Sequence, residues 1–298
     1  MIKIGVFDSG EGGLSVLKEI TRLLPEAEYV YYSDNAHCPY GEKSPEYIQD
    51  RARAITERLL KEGADVIVVA CNTATAAAIS VLRSEYSDAS SQEVRDRVQE
   101  LTGGRHDHIC FIGMEPAVKP AALGTRTGVV GVLATAGTLK GSKYLKTKES
   151  VDDQVNVFEH VGRGFVELVE EGRLSGSEAE DVVKASLGPL LSAGADIIVL
   201  GCTHYPFLLP VLQKVAGPDI RFIDPAPAVA RQLVHVLERD GMLSAGEASS
   251  ALARNASAVP SSPHVKLLSS GDPEPLHHLY GTIFTNSREL LFIVDLNS

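Results

Sequence analysis

Two cysteines of this sequence stand at the same place in a repeated motif. Glu62-Gly63-Ala64-Asp65-Val66-Ile67-Val68-Val69-Ala70-Cys71-Asn72-Thr73 and Ala193-Gly194-Ala195-Asp196-Ile197-Ile198-Val199-Leu200-Gly201-Cys202-Thr203-His204 share a Gly-Ala-Asp start, four aliphatic residues, a small residue and then a thiol. The aliphatic runs read as buried strands. Ligands of open parallel sheets bind just beyond the carboxyl ends of the strands, so both thiols should face a crevice. Each is followed by polar residues at the start of a helix, whose free amides favour an anion and should lower a thiol pKa from its free value of about 8.5. Two thiols on opposite sides of one small molecule suit a reaction in which one base removes a proton from carbon and the other delivers a proton to the far face. Spacing alone leaves two alternatives open, a redox couple or a single nucleophile beside a bystander. Cys110, set inside His108-Ile109-Cys110-Phe111-Ile112, reads as a small apolar filler.

A second matching pair lies upstream. Ile4-Gly5-Val6-Phe7-Asp8-Ser9-Gly10 and Val130-Gly131-Val132-Leu133-Ala134-Thr135-Ala136-Gly137 precede their cysteines by 66 and 71 residues, counted from Gly5 and Gly131. The chain therefore reads as duplicated. Asp8 ends the first of these strands and has no carboxylate counterpart, since Ala134 takes its place. The second thiol instead has His204 two residues on, where the first has Thr73. Assistance to the two thiols should be asymmetric. The turn Asp8-Ser9-Gly10-Glu11-Gly12-Gly13 lacks the Lys of a P-loop and the full dinucleotide fingerprint, and its glycines are expected to let a ligand approach the backbone.

The elements that must hold these groups alternate short β-branched runs with helical periodicity, the pattern of βαβ units and a mostly parallel sheet. Strands are expected at Lys3–Phe7, Glu28–Tyr32, Val66–Ala70, His108–Ile112, Gly128–Leu133, Gln154–Phe158, Ile197–Leu200, Arg221–Ile223 and Val265–Leu268. A helix should open at Ser44-Pro45, with Ser as cap and Pro at its first position, and stop at Gly63. The fold class is α/β, with two pseudo-symmetric lobes, each a mostly parallel sheet flanked by helices, and the site in the cleft between them. Residues 1–100 and 208–298 should form one lobe and residues 101–207 the other. Segment 84–105 should extend a helix and then loop into the next lobe, and segment 239–263 should be a long connection.

Composition sets the class. The 298 residues are 44% hydrophobic and 22% charged, with 28 Lys+Arg against 39 Asp+Glu and a net charge of −11, which makes nucleic acid a poor partner. Four cysteines without a C-x-x-C pair suggest a reducing compartment rather than a disulfide framework. No window approaches the length of a membrane span, and the protein is expected in the cytoplasm.

Taken together, six segments in order resemble the glutamate racemase family, cofactor-independent members of the aspartate/glutamate racemase superfamily. They are Phe7-Asp8-Ser9-Gly10, Asp34-Asn35-Ala36 with Pro39-Tyr40-Gly41, Val69-Ala70-Cys71-Asn72-Thr73-Ala74, Met114-Glu115-Pro116-Ala117, Ala134-Thr135 with Thr138, and Leu200-Gly201-Cys202-Thr203-His204-Tyr205-Pro206. The resemblance covers most of the chain. It implies interconversion of L- and D-glutamate without pyridoxal phosphate, metal or nucleotide, supplying D-glutamate for peptidoglycan, by a protein that is commonly a homodimer. Cys71 and Cys202 would be the two proton donors and acceptors, with Asp8 and His204 assisting the first and second thiol and Glu170 a further carboxylate of the catalytic set. Asp8, Ser9, Tyr40, Gly41, Asn72, Thr73, Thr203 and His204 would bind the substrate, together with Thr135 and Thr138. Tyr40 could alternatively pack a turn, and Glu170 could be a solvated helix residue. Related aspartate racemases carry Glu in place of His204, so this residue favours glutamate. A racemase or decarboxylase acting on another acidic substrate, or a non-catalytic amino-acid-binding or inhibitor protein, are the rival readings.

The sequence departs from the family pattern at His37-Cys38, where a non-thiol pair is usual, at Val161-Gly162-Arg163-Gly164, and in the longer stretch between Cys71 and Glu115. Cys38 lies close to the expected binding loop but is not expected to be a reacting thiol.

Overall fold

A computed structural model of the chain describes residues 1–254 and 263–284. Among the described residues nine strands form two sheets: β1 (Lys3–Asp8), β2 (Glu28–Ser33), β3 (Val66–Val69), β4 (Cys110–Ile112), β5 (Val129–Ala134), β6 (Asn156–Val161), β7 (Ile197–Gly201), β8 (Arg221–Ile223) and β9 (His264–Ser269). The first sheet has the order β4-β3-β1-β2-β9 and the second β6-β5-β7-β8. Every pairing is parallel, as crossover helices between successive strands require. All nine expected strands are present, with ends shifted by at most three residues.

The duplication extends to topology and register. In each sheet the first strand of the repeat, β1 or β5, lies between the cysteine-bearing strand, β3 or β7, and its neighbour, β2 or β6. Gly5 pairs with Ile67 and Gly131 with Ile198, which are equivalent positions of the two motifs. Both glycines serve the same packing. A Cβ at Gly5 would lie 3.3 Å from Leu59 Cβ, and one at Gly131 3.4 Å from Leu190 Cβ, so helices Pro45–Lys61 and Ser177–Ser192 rest directly on the sheet backbone. The repeated Asp works at the opposite end of the strand. Asp65 accepts from the Lys3 amide at 2.8 Å and Asp196 from the Arg126 amide at 2.7 Å, each tying its crossover to the start of the adjacent strand.

The helix at 45 begins as expected, with the Tyr47 amide donating to Ser44 Oγ and Gly63 at φ +96° after its end. Two expectations need correction. Segment 84–105 does not simply extend a helix: helix Asn72–Tyr86 ends, and a separate helix Gln92–Thr102 starts from Ser91, whose Oγ accepts from the Val94 amide, and closes on left-handed Gly103. The 239–263 connection contains helix Ala245–Leu252, opened by a reciprocal Ser244–Glu247 cap, with residues 255–262 outside the described part. The lobe boundaries also move. β4, at residues 110–112, pairs with β3 in the first sheet, and β8, at 221–223, pairs with β7 in the second, so the chain changes sheets after each of these strands rather than at 100/101 and 207/208.

One apolar cluster runs through both lobes, from Leu14, Leu17 and Ile20 of helix Leu14–Leu23 to Leu187, Ile198, Leu200 and Tyr205 of the second. Separate cores fill the outer side of each sheet. The carboxyl ends of β1, β3, β5 and β7 are thereby brought to one seam.

Candidate active site

Asp8 and Ser9 leave β1, Cys71 follows β3 by two residues, Thr135 follows β5, and Cys202, Thr203 and His204 follow β7. Ser9, Tyr40, Gly41, Cys71, Asn72, Thr73, Thr135, Cys202, Thr203 and His204 line one cavity of about 10 Å³, room for about one water molecule. Both thiols thus face a common space. Pro39 and Val166 complete its wall. Sequence reasoning did not single out either, although Val166 precedes Glu170 by one turn of helix Phe165–Glu170, which puts both on one face.

Cys71 caps helix Asn72–Tyr86, its Sγ accepting from the Ala74 amide at 3.4 Å and lying 3.6 Å from Ser9 Oγ. The expected lowering of its pKa is not found. Burial pushes the thiol well above its ordinary value, the nearby Asp8 charge adds to this, and the Ala74 and Ser9 contacts offset only part. The helix terminus is outweighed because the thiol is buried beside a carboxylate.

Asp8 is fully buried behind Cys71. Its carboxylate accepts from the Ser9 amide at 2.7 Å, the Gly13 amide at 2.6 Å and, across the lobe seam, Thr203 Oγ1 at 3.1 Å. Burial raises its pKa, against the opposing pull of His204 and of hydrogen bonds from Cys71, Ser9 and Thr203. Cys202 is served differently. His204 Nδ1 lies 3.7 Å from its Sγ, while Nε2 pairs closely with Glu170 Oε1. Burial alone would lower the imidazole pKa, but the hydrogen bonds to Cys202 and Glu170 and the Glu170 charge carry it well above the ordinary value. The first thiol therefore has a carboxylate behind it and the second an imidazolium, the asymmetry expected from Asp8 and His204. Glu170 is not a solvated helix residue: it also accepts from the Glu11 amide at 3.0 Å.

The glycine turn makes room for protein rather than for ligand. A Cβ at Gly12 would sit 2.7 Å from His204 ring carbons, and one at Gly13 2.7 Å from Asp8 Cβ. Across the cavity, Thr73, Thr135 and Thr138 form a hydroxyl triangle with edges of 2.9, 3.0 and 3.4 Å that joins the two lobes. Thr138 itself stands behind the cavity wall. Tyr40 lines the cavity, but its hydroxyl is committed to Asp34, which also takes two hydrogen bonds from Arg51 at 2.7 and 3.0 Å. Asn72 is the opposite case, buried with neither its Oδ1 nor its Nδ2 hydrogen-bonded. Buried amides are rarely left so, and this one borders the cavity.

Cys38 reaches the same region from the first lobe, its thiol pushed up to about 11 by burial, with the His204 charge pulling the other way. It does not line the cavity. Cys110 lies far from it, donating to Asp240 Oδ2 at 2.7 Å, and is half-buried at the sheet edge rather than a core filler.

The family model described as Asp/Glu/Hydantoin racemase matches residues 91–233. A glutamate racemase of Stutzerimonas stutzeri is 45% identical over 246 residues, covering 83% of this chain and 86% of that protein. The glutamate racemase of Escherichia coli, solved in complex with L-glutamate, superposes with a TM-score of 0.72 at 30% identity, covering 99% of this chain and 98% of that one. That of Francisella tularensis, solved in complex with D-glutamate, gives 0.71 at 27% identity, with coverage of 99% and 98%. With its two cysteines in one cleft and this degree of likeness along the chain, the protein belongs to the glutamate racemase family.

Proposed function

We propose that the protein interconverts L- and D-glutamate with Cys71 and Cys202 as the two bases. The observation that carries this reading is that the two thiols, delivered by equivalent strands of a duplicated fold, border one small cavity. Relatives solved with each enantiomer of glutamate supply the substrate class.

The residues divide the work. On one side Asp8, whose charge acts on the neighbouring Cys71, can draw off the thiol proton so that the thiolate takes the α-proton of the substrate. The substrate ammonium would bring into the cavity the positive charge that favours this thiolate. On the other side His204, held as a cation by Glu170, returns a proton through Cys202 to the opposite face of the carbanion. The reverse direction exchanges the two roles. The amide of Asn72 and the hydroxyls of Ser9, Thr73, Thr135 and Thr203 would bind the substrate's charged groups and offset the charge that develops on its α-carboxylate, with Thr138 holding Thr135 and Thr73. A cavity of about 10 Å³ cannot admit glutamate, so the lobes must part for entry and close for reaction, which also excludes water from the carbanion.

The same reading makes the enzyme a cytoplasmic homodimer that supplies D-glutamate for peptidoglycan. It is supported by the family resemblance, and among the described residues no helix is long and apolar enough to cross a membrane. The test is incubation with L-glutamate, and separately with L-aspartate, in deuterated water, followed by NMR. Loss of the glutamate α-proton signal with formation of D-glutamate is expected in the wild type. Exchange of aspartate alone, or none despite glutamate binding, would overturn the assignment.

A further inference from the structure

We propose that Cys38, Glu170 and His204 form a three-donor site for a zinc-class divalent cation, and that filling it shuts the racemase site. The thiol sulfur, a carboxylate oxygen and a ring nitrogen of these residues lie within 4.8 Å of one another. Gly10 is what lets them converge: a Cβ there would collide with Glu170 Oε1 and sit 3.1 Å from Cys38 Sγ, so a larger residue would occupy the space between sulfur and carboxylate.

The donor types select the ion. Thiolate, imidazole and carboxylate suit zinc, with bonds of about 2.0–2.3 Å and four-coordinate geometry, whereas magnesium and calcium prefer all-oxygen shells. Tetrahedral bonds of that length put donors about 3.3–3.8 Å apart, so the paired Glu170 and His204 must move apart and the longest separation close by roughly 1 Å, with water as the fourth ligand. Cys38 and Glu170 are both partly exposed, which gives the ion a way in and the side chains freedom to adjust. On binding, the Cys38 thiol and the His204 ring nitrogen that faces Glu170 each release a proton to solvent, that sulfur and nitrogen take the metal, and Glu170 exchanges His204 for the ion.

Two effects follow from the position. The ion would remove the Glu170–His204 pair that keeps the imidazole cationic beside Cys202. It would also bridge the lobes, because Cys38 follows β2 of the first sheet while Glu170 and His204 belong to the second lobe. A cleft of about 10 Å³ clasped in this way cannot open to glutamate. The inhibitory half of the proposal rests on the function proposed above, whereas the binding half does not.

The test titrates metal-free full-length protein with Co²⁺ as a spectroscopic stand-in and with Zn²⁺. We expect one Co²⁺ per chain with a thiolate-to-cobalt charge-transfer band, displacement by Zn²⁺, and loss of racemisation as Zn²⁺ binds. Cys38→Ala should abolish the band, weaken Zn²⁺ binding at least 100-fold and keep metal-free racemisation. Cys38→Ser serves where the Ala variant fails to fold, and Glu170→Gln should weaken Co²⁺ binding at least 10-fold. An unchanged band in the Cys38 variants, a band lost only in Cys71→Ala or Cys202→Ala, or no Co²⁺ binding by the wild type at millimolar metal would overturn the site. Binding through Cys38 without loss of racemisation would overturn the inhibitory role alone, and a wild type that binds Co²⁺ yet never racemises glutamate would count against the proposed function instead.

Discussion

Replacing Glu170 by Gln isolates one electrostatic term. The amide keeps the size of the side chain and an oxygen that can accept from the Glu11 amide, but it removes the charge facing His204. A unit pair at about 4 Å with an effective dielectric near 20 is worth on the order of 4 kcal/mol, and the partial exposure of Glu170 lets solvent screen part of it. The wild-type imidazole, raised well above 6.5, stays protonated through neutrality, whereas in the variant it should lose its proton at a lower pH. The alkaline limb of kcat/KM should therefore move to lower pH. Near neutrality the rate should fall about 100-fold, the lower range for losing a general acid. Circular dichroism of glutamate gives the rates in both directions, and kcat/KM must fall equally in each because the two enantiomers are equally stable. Stability supplies a second readout. A group whose folded pKa is raised stabilises fully below its unfolded value and loses that contribution as pH rises through the folded value. The variant's Tm deficit should thus be greatest between about pH 5 and 6.5 and shrink above. An unaltered pH profile would refute the view that Glu170 holds the proton on His204.

Cys71→Ala and Cys202→Ala should each abolish racemisation, while Cys110→Ala should leave it nearly intact; full racemase activity in either of the first two disposes of the two-base scheme. Asn72→Ala should raise KM about 10- to 100-fold, the loss of a hydrogen bond to a charged group, without lowering Tm, because its amide makes no hydrogen bond within the protein; a large drop in Tm would mean that the side chain is structural. Gly131→Ala should cost about 1–3 kcal/mol by overpacking, as it presses on Leu190 and Ile198, and denaturant unfolding would measure it. Asp196 is drawn down to about 2: burial alone would raise its pKa, but hydrogen bonds from Thr125, the Arg126 amide and Thr127 outweigh that. Asp196→Asn should therefore destabilise by about 2 kcal/mol at neutral pH, a difference that closes as pH falls from about 4 to about 2.

The central strands β1, β3, β5 and β7 were legible because each is a short, largely aliphatic run buried on both faces of a covered sheet, where period and composition agree. Helix Ala245–Leu252 was missed because its Ser, Ala and Gly content resembles a loop, although Ser244 and Glu247 spell a capping box. The lobe boundaries were missed for another reason. β4 and β8 are three-residue strands whose sheet is chosen by a neighbour, and nothing within Cys110–Ile112 or Arg221–Ile223 names that neighbour.

The sequence by itself determined the duplicated α/β frame and the candidates Cys71, Cys202, Asp8 and His204, since these follow from local spacing at strand ends. Only the tertiary structure decided how their charges balance. Burial depends on what the other lobe covers, so the rise in the Cys71 and Asp8 pKa values, the Glu170 hold on His204, the unpaired amide of Asn72 and the approach of Cys38 to Glu170 arise where segments as far apart as 195 residues meet. Desolvation and pair electrostatics depend on distance in space, and a strand motif carries no record of either.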